Sequence, residues 1–252
     1  MHCPSRKWLT ADRLLRIGPG FRLRKRVFPV GFGSALALEP FHIFALDHLH
    51  PRLLGSRILV ERSIYNDFRD RFLNAVESMA VGDPSDPDTE LGALISPEHR
   101  DKVAGYIELA QEEGGTIVCG GGAPEGIPEE FAGGNWLAPT VIDGLASDSR
   151  CSTEEIFGPV VTLHPFDTEQ EAIDIANGTR YGLAGSIWTS DLEKGQRVAE
   201  GIDTGMVWVN CWLHRDLRVP FGGVKDSGIG REGGRWSLGF FSEAMNVCVK
   251  HD

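Results

Sequence analysis

The sequence predicts an α/β domain with a largely parallel sheet, and three observations favour that fold class. From residue 57 onward, short apolar segments alternate with amphipathic segments that are long enough to form helices. Ser or Thr residues stand near the beginning of most amphipathic segments, where helix N-caps are found. The apolar segments are rich in Val, Ile and Leu, which is typical of strands buried on both faces of a parallel sheet.

The first regular unit consists of a strand and two helices. Residues 58–60 are predicted to form a buried strand, and Ser63 is expected to cap the helix that follows. The apolar face of that helix repeats at three- and four-residue steps, through Tyr65, Phe68, Phe72, Val76 and Met79. Ser96 and Pro97 open a second helix, and residues 116–119 form the next strand.

The second unit continues the same alternation towards the end of the chain. Its strands are predicted over residues 159–163, 183–188, 206–209 and 245–250. Thr168 with Glu171, and Ser190 with Glu193, match the capping-box pattern at the beginnings of the two intervening helices. No helix is predicted after the last of these strands.

Charge divides the chain into two unlike parts. Residues 1–56 hold nine Lys or Arg and three Asp or Glu, whereas the remaining residues hold 16 and 33. The acidic body disfavours nucleic-acid binding. The basic segment could be a nucleic-acid arm or a transit peptide, but its aromatic residues and prolines interrupt both patterns. We therefore expect no nucleic-acid partner, and no apolar run is long enough to predict a membrane span.

The cysteines predict neither a disulfide framework nor a metal site. Five cysteines are widely spaced and form no CxxC pair: Cys3, Cys119, Cys151, Cys211 and Cys248. Reduced thiols are typical of a cytoplasmic protein, which is the expected location.

Four motifs stand in a fixed order in the second half of the chain. They are TEEIFGPV at residues 153–160, YGLA at 181–184, VWVN at 207–210 and PFGGVKDSGIGRE at 220–232. In this order and spacing they resemble the aldehyde dehydrogenase superfamily, over residues 55–250. The resemblance implies a partial catalytic-type domain of that fold, three-layered with a mostly parallel sheet, followed by a C-terminal oligomerisation strand.

The segment around residues 210–218 narrows the resemblance. NCWL at 210–213, RDLR at 215–218 and GREGG at 230–234 are similar to the 2-hydroxymuconic and 2-aminomuconic semialdehyde dehydrogenases. The implied reaction is NAD-dependent oxidation of a carboxylated semialdehyde to the carboxylic acid. The choice between NAD and NADP, and the individual substrate, stay open.

The resemblance assigns two residues to the cofactor. Glu155 matches the family glutamate that holds the nicotinamide ribose, where a carboxylate can accept hydrogen bonds from two adjacent hydroxyl groups. Phe157 matches the aromatic residue that packs beside the same ribose. The alternatives are a surface carboxylate before a strand and an ordinary core phenylalanine.

The resemblance also suggests substrate-binding residues. Arg215 lies in the loop that borders the substrate entrance, and a guanidinium can bind a substrate carboxylate through two parallel hydrogen bonds. Arg218 is the second choice, and an exposed loop arginine is the alternative for Arg215. Phe221 matches a residue of the pocket wall, and Trp212 either joins that wall or packs in the core.

The chain departs from the family where the catalytic cysteine is expected. The nucleophile stands three residues before the glycine of a segment like Gly55-Ser56-Arg57, and that position is Arg52. An arginine offers no nucleophilic lone pair at neutral pH. The abrupt change near residue 55 also suggests a joined or shifted reading frame. We therefore predict an unassigned segment 1–56, a partial catalytic-type domain 57–235 and a C-terminal segment 236–252.

Two functions follow as expectations. The first is an aldehyde dehydrogenase fragment whose family substrate is a small aldehyde, without turnover of its own because the nucleophile is missing. The second is a non-catalytic module that forms homo-oligomers, or pairs with full-length relatives, through residues 245–250. No catalytic residue and no metal ligand are predicted within this chain.

Overall fold

The computed structural model describes the backbone of residues 43–46 and all of residues 56–251. Arg52 and nearly all of the predicted segment 1–56 lie outside the described residues. The predicted domain limits at 57–235 and 236–252 stay predictions.

The described strands form one seven-stranded sheet and one small ribbon. The nine strands of this part of the chain are β1 Ile43–Leu46, β2 Arg57–Glu61, β3 Thr116–Cys119, β4 Thr140–Asp143, β5 Val160–Phe166, β6 Tyr181–Gly182, β7 Ala184–Trp188, β8 Met206–Val209 and β9 Val224–Lys225. The large sheet has the order β3-β4-β5-β2-β1-β7-β8, and β6 pairs with β9. Within it, β4, β5, β2, β7 and β8 run in one direction, whereas β1 and β3 run in the other. The mostly parallel sheet is confirmed.

Helices cover this sheet. Those of the described ranges are α1 Tyr65–Glu77, α2 Pro97–Glu112, α3 Arg150–Thr153, α4 Glu169–Asn177, α5 Leu192–Gly201 and α6 Gly234–Phe241. Consecutive residues of β5 are buried whichever way their side chains point, so both faces of the sheet are covered, as in a three-layer domain. One core cluster joins α4 and α5 to Leu59, Phe166 and Ile187 of the sheet, and another surrounds Val103 and Ile107 of α2. None of the described helices combines the length and apolar character needed to cross a bilayer.

Two of the four predicted helix starts are confirmed, and the other two are wrong by one residue each. The hydroxyl groups of Ser96 and Thr168 accept backbone N–H groups at the beginnings of α2 and α4. Ser63 does not cap α1, because it lies inside a short 3-10 turn and its hydroxyl donates to the Glu61 carboxylate. At α5 the cap is Asp191 rather than Ser190, since its carboxylate accepts the third N–H of that helix.

The strand predicted at residues 245–250 is not formed. Residues 242–251 have no regular secondary structure, and the apolar side chains of Met245, Val247 and Val249 are exposed. A strand needs a neighbour to complete its backbone hydrogen bonds. In the described part of this chain no strand pairs with this segment, so the apolar sequence alone does not make it a strand.

Two glycine-to-alanine substitutions should have opposite effects on stability. A Cβ atom at Gly205 would stand 1.7 Å from the carbonyl oxygen of Gly222, whereas one at Gly105 in α2 would meet nothing within 4 Å. We expect Gly205→Ala to lower the free energy of unfolding by roughly 1–3 kcal/mol through overpacking. Gly105→Ala should raise it by roughly 0.5–1 kcal/mol because alanine favours helix. Urea unfolding of both variants measures the difference, and equal effects would contradict the steric argument.

Candidate functional site

The segment that carries Glu155 and Phe157 connects α3 to β5. The Ser149 hydroxyl caps α3 by accepting the Ser152 N–H, and the backbone becomes extended at Glu154. The short helix therefore ends at Thr153, three residues before Ile156, which is buried in the core at 4% exposure. This anchoring leaves Glu155 half-buried and Phe157 exposed on the surface of the domain.

A cleft of about 660 Å³ runs along this segment. Its wall contains both Glu155 and Phe157, together with Thr179 and Tyr181 from the region of β6. The other side is formed mainly by residues 90–95, which precede α2. The structure therefore brings the two predicted cofactor residues to one open cavity.

Phe157 has an unusual backbone conformation. Its φ of 59° lies in the left-handed region, which costs a non-glycine residue roughly 1–3 kcal/mol. Nε2 of His99 lies 2.7 Å from the Phe157 carbonyl oxygen, and the two rings meet edge to face with centroids 5.9 Å apart. Since a carbonyl only accepts, His99 donates this hydrogen bond. The side chain of Phe157 is 49% exposed, so it is not the ordinary core phenylalanine of the alternative interpretation.

Glu154, next to the predicted ribose ligand, belongs to a polar network. Its carboxylate accepts from the Tyr106 hydroxyl at 2.8 Å and from the Arg150 guanidinium at 2.9 Å. The Arg150 hydrogen bond, followed by that of Tyr106, lowers the pKa of Glu154. Burial and then the hydrogen bond to Glu154 raise the pKa of Tyr106 to about 12. Glu154 is therefore an ionised structural partner rather than a proton carrier.

Arg215 and Phe221 lie together, away from the cleft of Glu155. The Arg215 guanidinium stacks 3.9 Å above the Phe221 ring and forms an ion pair with Glu232. Backbone hydrogen bonds in both directions join Phe221 to Glu232 and hold the main chain of Glu232 beside Phe221. An internal carboxylate thus occupies the position that the sequence interpretation reserves for a substrate carboxylate.

Arg218 and Trp212 have other neighbours. The guanidinium of Arg218 pairs with Asp216, two residues away, and its side chain is 87% exposed. Trp212 packs on Trp208 with ring centroids 5.3 Å apart, and its buried indole nitrogen has no hydrogen-bond partner among the described residues. Neither residue lines the cleft of Glu155 and Phe157. In the described structure Glu155 and Phe157 therefore share a cleft and Arg215 contacts Phe221, whereas Trp212 and Arg218 contact other residues.

None of the described cysteines lines that cleft. Cys151 lies nearest in the sequence, but it is buried and donates through sulfur to the Tyr106 carbonyl at 3.3 Å. Burial, followed by the Glu113 carboxylate, raises the pKa of Cys151 to about 12. Because thiolates rather than thiols attack carbonyl carbons, this sulfur is unreactive at neutral pH. The described residues also contain no cluster of His, Cys, Asp or Glu suited to a metal ion.

Sequence reasoning missed the contribution of α2 to the site. His99, Lys102 and Tyr106 are spaced three and four residues apart, which places them on one helix face. The polar character of that face was the available signal. It is a weak one, because the polar residues of a helix packed on a sheet commonly face water. Here they contact the segment of Glu155 and Phe157.

Comparisons with known proteins agree with this architecture. The model of the aldehyde dehydrogenase family matches residues 53–247. The 2-hydroxymuconic semialdehyde dehydrogenase of Pseudomonas sp. (strain CF600) is 50% identical over 194 residues, which are 77% of this chain and 40% of that protein. The human 2-aminomuconic semialdehyde dehydrogenase is 48% identical over 200 residues, covering 79% and 41%.

A solved structure gives the same result in three dimensions. Staphylococcus aureus betaine aldehyde dehydrogenase, crystallised in complex with NAD+, superposes with a TM-score of 0.71 at 43% identity. The match covers 74% of this chain and 37% of that enzyme. The chain thus spans about two-fifths of the length of the curated relatives it matches. With its motifs, its sheet and these likenesses in agreement, the chain belongs to the aldehyde dehydrogenase family.

Proposed function

We propose that this chain carries the nicotinamide-ribose side of an NAD-dependent semialdehyde dehydrogenase site, and that it does not oxidise aldehydes by itself. The observation that carries the proposal is the common cleft of Glu155 and Phe157. The names of the relatives support semialdehydes as the substrate class. Free cysteines among the described residues fit the reduced, cytoplasmic setting that belongs to the same proposal.

The residues present fit one part of the cofactor. Glu155 is half-buried on the wall of the cleft, where its carboxylate can accept the two hydroxyl groups of a ribose. Phe157 is half-exposed in the same wall and offers an apolar ring for the sugar to pack against. When bound, NAD would supply the hydride acceptor for the oxidation.

A missing nucleophile supports the absence of turnover. The family position of the catalytic cysteine is Arg52 in this sequence. Burial raises the pKa of Cys151, the described cysteine closest to Glu155 in the sequence, to about 12, so its thiol stays protonated. Without a thiolate at the aldehyde carbon, the thioester that divides the family reaction into two steps does not form.

Nicotinamide mononucleotide tests the ribose assignment, because it contains the relevant ribose and no adenosine. We expect saturation-transfer NMR to detect its weak binding to the wild-type chain. Glu155→Gln should weaken binding roughly tenfold or more, because hydrogen bonds to a charged acceptor contribute roughly 1.5–3 kcal/mol. Glu108→Gln, on the exposed side of α2, is the matched control. Equal binding by wild type and Glu155→Gln would refute the ribose assignment. Formation of NADH from NAD and a semialdehyde would refute the absence of turnover.

Arg215 provides the substrate part of the proposal. The guanidinium would bind the carboxylate of the semialdehyde, in exchange for its ion pair with Glu232. Both side chains are substantially exposed, at 40% and 58%, so this exchange requires little rearrangement of the core. Muconate is a stable probe: Arg215→Met should weaken its binding, and Glu232→Gln should strengthen it. Changes of the same sign would contradict the exchange.

The exposed C-terminal segment favours a second candidate function. Met245, Val247 and Val249 are 84%, 68% and 68% exposed. Apolar residues at every second position are typical of an edge strand that pairs with another chain. A full-length relative could supply the missing edge by β-strand addition. Size-exclusion chromatography of a mixture tests the pairing. Co-elution that is lost in Val247→Asp supports it, and separate elution of the two proteins excludes it.

A further inference from the structure

We infer that α2 positions the carboxylate of Glu155, the proposed ribose ligand, through a row of side chains that clamps residues 150–157. This inference rests on the proposed function. The row consists of His99, Lys102, Tyr106 and Glu113, from the first turn of α2 to the residue that follows its last. We call this row the α2 clamp.

The first half of the clamp binds main-chain oxygens on both sides of Ile156. Lys102 donates from Nζ to the Glu155 carbonyl at 3.1 Å, and His99 donates to the Phe157 carbonyl at 2.7 Å. The Lys102 bond holds the peptide group that follows Glu155, and the His99 bond holds the chain two residues later. The left-handed φ of Phe157 lies between these two carbonyl groups, so the clamp supports the part of the segment whose backbone conformation is strained.

The second half of the clamp binds the beginning of the same segment. Tyr106 donates to the Glu154 carboxylate, and Glu113 accepts the N–H groups of Arg150 and Cys151 at 3.0 and 3.1 Å. Contacts therefore proceed in antiparallel order, because later residues of the helix touch earlier residues of the segment. Such a register fixes the segment along its length instead of at one point.

A clamp differs from general packing in what its loss should change. His99 and Lys102 are half-buried and exposed, respectively, so removing their donor groups leaves the core intact. The main effect should fall on the order of residues 152–158 and on binding at Glu155. His99→Gln keeps an amide donor of similar reach, so it should preserve what His99→Leu loses.

Two measurements test the clamp. Hydrogen–deuterium exchange followed by mass spectrometry reports residues 152–158 without any ligand. In His99→Leu and Lys102→Met, exchange there should be faster by roughly five- to tenfold, which corresponds to losing one hydrogen bond. Glu108→Gln and His99→Gln should match wild type in exchange and in urea midpoint, whereas His99→Leu and Lys102→Met should lower the free energy of unfolding by no more than about 1.5 kcal/mol, the loss of one hydrogen bond. Unchanged exchange in both donor-removing variants would overturn the clamp.

Binding of nicotinamide mononucleotide provides the second readout. Its dissociation constant should rise by a similar factor in His99→Leu and Lys102→Met, with recovery in His99→Gln. If the wild-type chain binds the probe and both donor-removing variants bind it equally well, the positioning role is wrong. If exchange changes as expected but wild type does not bind, the ribose assignment fails, and the clamp is reduced to a structural support.

Discussion

Replacing Arg57 with methionine should lower the free energy of unfolding by about 3–5 kcal/mol. Arg57 begins β2 and is 4% exposed, and its guanidinium donates to the carbonyl groups of Ile175 and Ala176, both at 3.0 Å. These carbonyls lie in the last turn of α4, where a cation also opposes the negative end of the helix dipole. Each hydrogen bond from a charged donor contributes roughly 1.5–3 kcal/mol, and methionine would leave both buried acceptors without it.

Urea unfolding of three variants separates this effect from a general loss of charge. Arg71→Met, in the exposed part of α1, should change stability by less than about 0.5 kcal/mol. Arg57→Lys should be intermediate, because an ammonium group cannot reproduce the planar two-pronged donor. A loss in Arg57→Met no larger than in Arg71→Met would show that the α4 carbonyls do not depend on this guanidinium.

His164 should make the fold sensitive to mild acid. It lies in β5, is 3% exposed, and its Nε2 lies 2.9 Å from the Thr162 hydroxyl. Burial, and next the nearby Arg57, lower the pKa of His164 from 6.5 to about 4. Above pH 6.5 the imidazole is neutral in both the folded and the unfolded chain. Between pH 6.5 and about 4 only the unfolded chain binds the proton, so stability falls as the pH falls.

The expected size of this loss is about 3 kcal/mol at pH 4, since each pH unit between the two pKa values corresponds to about 1.4 kcal/mol. His164→Gln retains a hydrogen-bonding group for Thr162 but cannot bind the proton. The free energy of unfolding, measured from pH 7 to pH 4, should therefore decline less in this variant by that amount. His214→Gln, at an exposed loop position, should follow the wild-type curve. Parallel curves for wild type and His164→Gln would show that His164 does not cause the acid sensitivity.

The strands and helices of the core were predictable because their patterns depend on local chemistry. Residues 116–119 and 206–209 are strands with the predicted bounds, and the Ser96 and Thr168 caps act as expected. The chain near β1 has no clear period, so its place in the sheet depends on backbone pairing that sequence patterns do not encode. The prediction for residues 245–250 is wrong for the opposite reason. The sequence has a strand-like pattern, but no described strand pairs with it.

The candidate site was predictable only where a motif carried it. The resemblance named Glu155 and Phe157, and the structure places both in one cleft. It also named Arg215 but could not reveal the pairing with Glu232, because the two residues are 17 positions apart and Glu232 is held near Arg215 by its backbone bridge to Phe221. His99 and Lys102 were missed because their role depends on how α2 packs against a segment more than 50 residues later.

Strand β1 connects the two halves of the large sheet. It lies between β2 and β7, and the hydrogen-bond ladder of the described strands passes from one half of the sheet to the other only through it. Leu46 pairs with Arg57 nearby in the chain, whereas Ile43 pairs with Trp188 across most of the domain. Since short loops close at lower entropic cost, we expect the β1–β2 pairing to form before the β1–β7 pairing. Leu59 of β2 and Ile187 of β7 belong to one core cluster. Side chains of that cluster therefore join the two halves of the sheet in addition to the backbone pairing through β1.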